Sequence, residues 1–405
     1  MRLLTRRMWF RAALFCLFAI LLALASAVLG HVISYDFAAK VGARSVDNIL
    51  NVLASSMLAV TTFSLTAMVS GYSGATSNIT PTAVQLLVED STAQNALATF
   101  LGSFVFAIVG IIALSTGLYG ESGRFILFGG TILVIAIIVV TFLRWIEHIT
   151  RFGRVNDTID RVEAAAMKAA RAMGRRPRVG PRRRRTVPDG ACSIHHERIG
   201  RVTHVDIPAL RGIAEALDAE IVVSALPGTM VNPARMLAWT SANLEPKAVE
   251  RIRSSFTVAH DRAFDHDPRF GLVALSEIAS RALSPAVNDP GTAISVLEAG
   301  TRVLATMLAL EPDDDRERAD TVVVPAFSVP DLLEDLYRPI ARDGAGILEV
   351  AIRLQKSLAA LAAQSPEARA DCKVIADDAF SRAMAAMTAT VDQERLAQIH
   401  HRYWS

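Results

Sequence analysis

Acidic and imidazole side chains crowd one short stretch of this chain: His260, Asp261, Asp265, His266 and Asp267, with Asn288 and Asp289 further on. Carboxylates and imidazoles are metal ligands, but the spacing lacks the HExxH pattern that puts two histidines on one helix face. Asp267-Pro268 and Asp289-Pro290 have a simpler reading. Each is an N-cap followed by proline at the first helical position. The run Arg281 to Pro285 ends one helix, and Ala286 to Asp289 links it to the next, which makes a helical hairpin. A ligand site built from Asp265, His266, Asp267, Asn288 and Asp289 is the alternative, and two helix N-termini beside it would favour an anion. The residues carried forward as a candidate cytoplasmic signature site are Asp267, Pro268, Ser284, Pro285, Asn288, Asp289 and Pro290. The neighbouring pairs His195-His196 and His400-His401 cannot easily share an ion and read as surface. No GxSxG, P-loop or GxGxxG occurs. The chain is expected to be no enzyme and to hold no cofactor or metal.

A second constellation lies in Asn48 to Ser70, a charge-free stretch long enough to cross a bilayer and rich in Ser, Thr and Asn. At 100° per residue, Asn48, Asn51, Ser55, Ala59, Thr62, Thr66 and Ser70 fall within about 50° of one direction. Asn48, Asn51, Ser55, Thr62 and Thr66 are thus candidates for lining water or for packing closely against another helix.

The elements that must position these residues follow from hydropathy. The 405-residue chain is 52% hydrophobic, with the apolarity concentrated before Leu143. Four spans are predicted: Ala12 to Tyr35, the polar helix Asn48 to Ser70, Ala96 to Leu118, and Phe125 to Leu143. The first begins like a secretory signal, and Ala25-Ser26-Ala27 resembles a cleavage site, but the run continues past it and reads as a retained span. Arg2, Arg6, Arg7 and Arg11 precede the first span, and Arg144, Arg151 and Arg154 follow the fourth. Only Lys40, Arg44 and Arg124 occupy the opposite loops. The positive-inside rule therefore puts both termini in the cytoplasm of a bacterial inner membrane. Between spans two and three, Gly71, Gly74 and Pro81 are expected to break the helix, and Thr82 to Leu97 to form an interfacial helix with Glu89 and Asp90 on a solvated face. Trp145, Glu147 and His148 read as interface anchors.

The fold class expected is an α-helical membrane protein, with four transmembrane helices plus a cytoplasmic α+β part that is mostly helical. Its divisions are residues 1–143 for the spans and 144–186 for a helical stalk and an Arg-rich linker. Residues 187–243 form a strand–helix–strand subdomain and 244–405 a helical domain. The stalk runs to about Met173, and seven arginines fall between Arg175 and Arg185. Arg198 to Ile207, Pro208 to Leu217 and Glu220 to Ser224 make the strand–helix–strand unit, and Leu226 to Thr229 a turn. Helices are predicted over 246–265, 268–283, 290–310, 329–341, 346–363, 366–388 and 390–403, with one strand from Thr321 to Val324. Cys16, Cys192 and Cys372 show no CxxC spacing and fit a reducing compartment.

The stretch Ala263 to Leu297 resembles the signature of an uncharacterised bacterial family of predicted four-span membrane proteins. The matching residues are Asp267-Pro268-Arg269-Phe270-Gly271, Ile278-Ala279, Arg281 to Pro285, and Asn288-Asp289-Pro290 followed by Thr292-Ala293. The resemblance extends to the spans, the Gly200 strand, the Pro227-Gly228 turn and Val231. Arg201 stands where the family more often has an aromatic residue. The resemblance brings no activity with it.

Two functions fit these patterns. One is a homo-oligomeric channel or pore for an ion or small solute, lined by the second span and gated by the cytoplasmic domain. The other is a non-conducting membrane-anchored sensor or scaffold. The partners expected are the lipid bilayer and further copies of the chain. A net charge of only +2 argues against nucleic acid.

Overall fold

A computed structural model describes residues 8–29, 43–78, 80–88, 90–116, 121–151, 154–172, 186–309 and 321–405. The chain forms two units, Met1–Asp157 and Thr158–Ser405. The Arg-rich linker lies outside the described residues.

The first unit is a helical bundle: α1 (Met8–Leu29), α2 (Ala43–Asn78), the short α3 (Pro81–Val88), α4 (Ser91–Ser115) and α5 (Glu121–Arg151). Within α2, α4 and α5, the segments Val46–Gly74, Ser91–Ser115 and Gly123–Thr150 are each long and apolar enough to cross a membrane. Helix α4 is the centre, packed by α1, α2 and α5. Small residues allow that approach. A Cβ on Gly102 would stand 3.3 Å from Phe15, and one on Gly110 would stand 3.0 Å from Leu50.

Three expectations for this unit are corrected. Helix α2 runs through Gly71 and Gly74 to Asn78, because glycine costs a helix only about 1 kcal/mol and is common in membrane helices. The predicted interfacial helix ends at Val88, and Asp90 starts a new one. Its carboxylate accepts from the backbone N–H groups of Thr92 (2.8 Å) and Ala93 (2.9 Å). Asp90 is therefore buried and not on a solvated face, and it lies 3.2 Å from His148 Nε2. Trp145 is 2% exposed, packed in the bundle core.

The second unit begins with most of α6 (Val155–Ala172), whose apolar face is buried at Ile159, Val162, Ala166 and Ala169. Two small sheets follow. One has the order β1-β5-β3-β7 and the other β4-β2-β6. Their strands are β1 (Cys192–His195), β2 (Gly200–Val205), β3 (Ile221–Val223), β4 (Met230–Val231), β5 (Met236–Thr240), β6 (Phe256–Ala259) and β7 (Val322–Val323), with α7 (Ile207–Leu217) and α8 (Pro246–Ser254) between them. The predicted strand–helix–strand unit forms, but its strands join different sheets. The predicted 246–265 helix stops at Ser254. Phe256–Ala259 pairs antiparallel with β2 instead, since its backbone groups find partners there. The late strand joins parallel to β3.

The rest is helical: α9 (Pro268–Ala282), α10 (Pro290–Leu308), α11 (Val329–Asp343), α12 (Leu348–Gln364), α13 (Arg369–Ala386) and α14 (Thr390–Trp404). Helix α14 is held by a polar node in the core. The Gln355 carbonyl accepts from Trp404 Nε1 at 2.8 Å and contacts His400 Nδ1 at 3.2 Å, while its amide donates to the Ala376 carbonyl at 2.8 Å. His400 also stacks on Phe380 and faces Asp377 at 3.2 Å. Burial lowers the His400 pKa and outweighs the pull of Asp377 in the other direction. A histidine whose folded value lies below its unfolded value contributes stability above the unfolded value, and that contribution is lost as pH falls through the folded one. Hydrogen exchange of α14 should accordingly quicken as pH drops below about 6.5, after correction for intrinsic rates, and His400→Gln should flatten that dependence.

Candidate functional site

The candidate stripe on α2 lies on the side of the helix opposite its packed face. Val46, Leu50, Leu53, Ala54, Met57, Ser64 and Met68 are buried in the bundle. Asn48, Asn51, Ser55, Ala59, Thr62, Thr66 and Ser70 are all exposed on the protomer. Large apolar side chains, Val52, Leu58, Phe63, Leu65 and Val69, flank them. Four of the stripe residues donate to their own helix. Asn51 Nδ2 donates to the Asp47 carbonyl, Ser55 Oγ to Asn51, Thr62 Oγ1 to Leu58 and Thr66 Oγ1 to Thr62, at 3.0–3.1 Å. The oxygens thus present acceptor lone pairs outward. The stripe is not a seam within the protomer.

A second polar set, of which the sequence pointed only to Asp90, lies inside the bundle at the cap of α4 and along it. Asp90, Gln94, Thr99 and Ser103 are all buried. Their signal in the sequence was a span starting with Asp, Gln and Asn and interrupted by hydroxyls, which the less apolar α2 overshadowed.

The signature residues do not form one site. Asp267 and Asp289 cap opposite ends of the hairpin, separated by α9, whose 15 residues extend roughly 22 Å. The proposed grouping of Asp265, His266, Asp267, Asn288 and Asp289 is thereby corrected. No cluster of three or more potential metal ligands exists among the described residues.

The Asp289 end is a turn. Ser284 Oγ donates to the Arg281 carbonyl, the Val287 and Asn288 N–H groups donate to the Ser284 carbonyl, and Asn288 takes a left-handed backbone (φ 49°). Asp289 receives the Thr292 N–H at 3.1 Å and the Thr292 hydroxyl at 2.6 Å. These bonds hold its carboxyl below the usual range. Pro285 is exposed beside Ser284, and Pro290 begins α10.

The Asp267 end is a buried joint. Asp267 is 1% exposed. One carboxylate oxygen accepts the Phe270 N–H at 3.1 Å, and the other accepts Arg262 Nε and Nη2, both at 2.8 Å. Burial pushes this carboxyl up, against the pull of Arg262. The Arg262 guanidinium lies 4.8 Å above the Phe270 ring, which packs on Phe264. Pro268 is buried in the first turn of α9. Across the joint is the Leu226–Thr229 turn, in which Gly228 has φ 88° and a Cβ would fall 2.3 Å from the Asp267 carboxylate. Arg201 donates to the Gly228 carbonyl at 3.1 Å. Gly200 pairs with Val231, and a Cβ there would meet Val258 at 2.6 Å.

The rest of the motif points to other helices. Arg269 binds Asp335 at 2.6 and 3.0 Å and approaches Asp331 at 3.4 Å. Gly271 lies against Ala166 of α6, where a Cβ would come within 2.3 Å. Glu163 of α6 in turn binds Arg302 through both oxygens. Asp267-Pro268-Arg269-Phe270-Gly271 therefore joins the sheets, α6, α9 and α11. Of the isolated histidines, His204 and His266 approach each other, with ring centroids 4.4 Å apart. His260 is exposed beside Asp261.

Comparison with known proteins points to a membrane protein. A family model described as "Predicted membrane protein (DUF2254)" matches residues 5–360. "Uncharacterized protein Mb1321c" of Mycobacterium bovis and "Uncharacterized protein Rv1290c" of Mycobacterium tuberculosis are each 25% identical over 251 residues, covering 58% of this chain and 48% of theirs. The chain thus spans about half the length of these relatives. No solved structure matches.

Proposed function

Since this chain belongs to the DUF2254 family of predicted membrane proteins, we propose that it is a homo-oligomeric channel or pore of the bacterial cytoplasmic membrane. In this reading α1 is a fourth span, both termini are cytoplasmic, and the second unit is a cytoplasmic assembly and gating domain. The 22 residues of α1 reach about 33 Å, enough for the hydrocarbon core. The permeant is an ion or small solute, and the chain does no chemistry on it.

One observation carries the reading: the Asn48–Asn51–Ser55–Thr62–Thr66 face of α2 points away from its own bundle. Their outward acceptor lone pairs, unlike the donors bonded to the helix, would find no partner among acyl chains. Water or a second copy supplies one. A conduit inside one protomer has little room, because the inner face of α2 is filled by Leu50, Met57 and Met68. The rival reading is a non-conducting sensor or scaffold in which the same face packs against a neighbouring copy.

Asn51→Leu and Thr62→Leu separate the two. For a pore, native mass spectrometry should find the wild-type oligomer while solute flux in liposomes falls or changes selectivity. Loss of the oligomer would support the packing seam. A wild-type monomer, or unchanged flux through intact oligomers, would end the pore reading.

A further inference from the structure

A groove of about 740 Å³ runs between α9, α11 and α13 in the second unit. Its charges are incompletely matched. Arg338 pairs with Glu334 at 3.2 Å, Arg342 with Asp343 at 2.6 Å, and Arg382 with Asp378 at 2.8 Å. Each guanidinium keeps N–H groups beyond those contacts. Arg342 and Arg382, from different helices, repel each other. Glu277, on the α9 wall, makes no ion pair among the described residues. Pro339 interrupts α11 on the same groove, and without an N–H it cannot satisfy the carbonyl of Asp335, which also lines the wall.

We propose that this groove binds a small zwitterion of the amino-acid class. The Glu277 carboxylate holds its ammonium group, and Arg342 and Arg382 hold its carboxylate. A simple anion would relieve the two arginines but approach Glu277. A simple cation would have the opposite conflict. A molecule carrying both charges answers both, and guanidinium–carboxylate contacts are among the stronger hydrogen bonds. The assignment is independent of whether α2 lines a conduit.

The test is calorimetric titration of the full chain in detergent with each free amino acid, and with acetate and methylammonium as single-charge probes. At least one amino acid should bind, with affinity falling about tenfold or more in Glu277→Gln and in Arg382→Gln, each by loss of one charge-assisted contact. Both substitutions are at the groove surface, and unchanged thermal unfolding without ligand would establish that the variants fold. Absence of binding by every amino acid would overturn the assignment. So would acetate binding as tightly as the best amino acid, or both folded variants keeping wild-type affinity.

Discussion

Arg262→Ala should destabilise the second unit by about 3–5 kcal/mol, the usual cost of removing one partner from a buried ion pair. Asp267, 1% exposed with Arg262 in place, would keep only the Phe270 N–H at 3.1 Å as a direct partner for its charge. Hydrogen exchange on the full chain in detergent, followed at the first turn of α9 and along β2, reads this loss. A merely local role for Arg262 would leave β2 unchanged. The double variant Arg262→Ala/Asp267→Asn should recover much of the stability, because asparagine still caps α9 and carries no charge. The pH dependence has a definite sign. Burial already raises the Asp267 carboxyl, and an acid raised above its unfolded value costs stability when ionised. The deficit of Arg262→Ala should therefore shrink as pH falls through that raised value. A deficit independent of pH, with no recovery in the double variant, would show that Arg262 acts by packing alone.

Gly271→Val should have an effect of similar size by another route. The added Cβ would lie 2.3 Å from Ala166 Cβ and 3.1 Å from its Cα, so α6 and α9 must separate. Overpacking of this kind costs about 1–3 kcal/mol, and more where backbone has to move. The Glu163–Arg302 contact would go with it. Faster exchange across α6 with the β1-β5-β3-β7 sheet unaffected is the expected pattern. Gly212 in α7 is a control of opposite sign. Nothing lies within 4 Å of its Cβ position, so Gly212→Ala should stabilise by roughly 0.5–1 kcal/mol. Equal protection of α6 in wild type and Gly271→Val would contradict the packing described.

The parts of this molecule that were legible in its sequence are those governed by local chemistry. Asp267-Pro268 and Asp289-Pro290 announce helix starts because capping involves only the next three residues, and the helices begin where those pairs stand. Three of the apolar spans, those in α2, α4 and α5, were legible for a similar reason. What failed depended on partners distant in the chain. Phe256–Ala259 is short and apolar enough for either helix or strand, and β2 decides the matter. Arg262 pairs with Asp267 across a loop, where no periodicity marks it. The α2 stripe was visible as a face, but which way it turned depended on where α4 packs. The signature aspartates looked like neighbours because a helix between them was counted in residues and not in length.

The docking of α6 on α9 also changes where the soluble part begins. A boundary drawn after the arginines would remove the helix that covers Gly271 and leave Arg302 without Glu163. An excised fragment would have to start at or before Val155 to carry its own first wall.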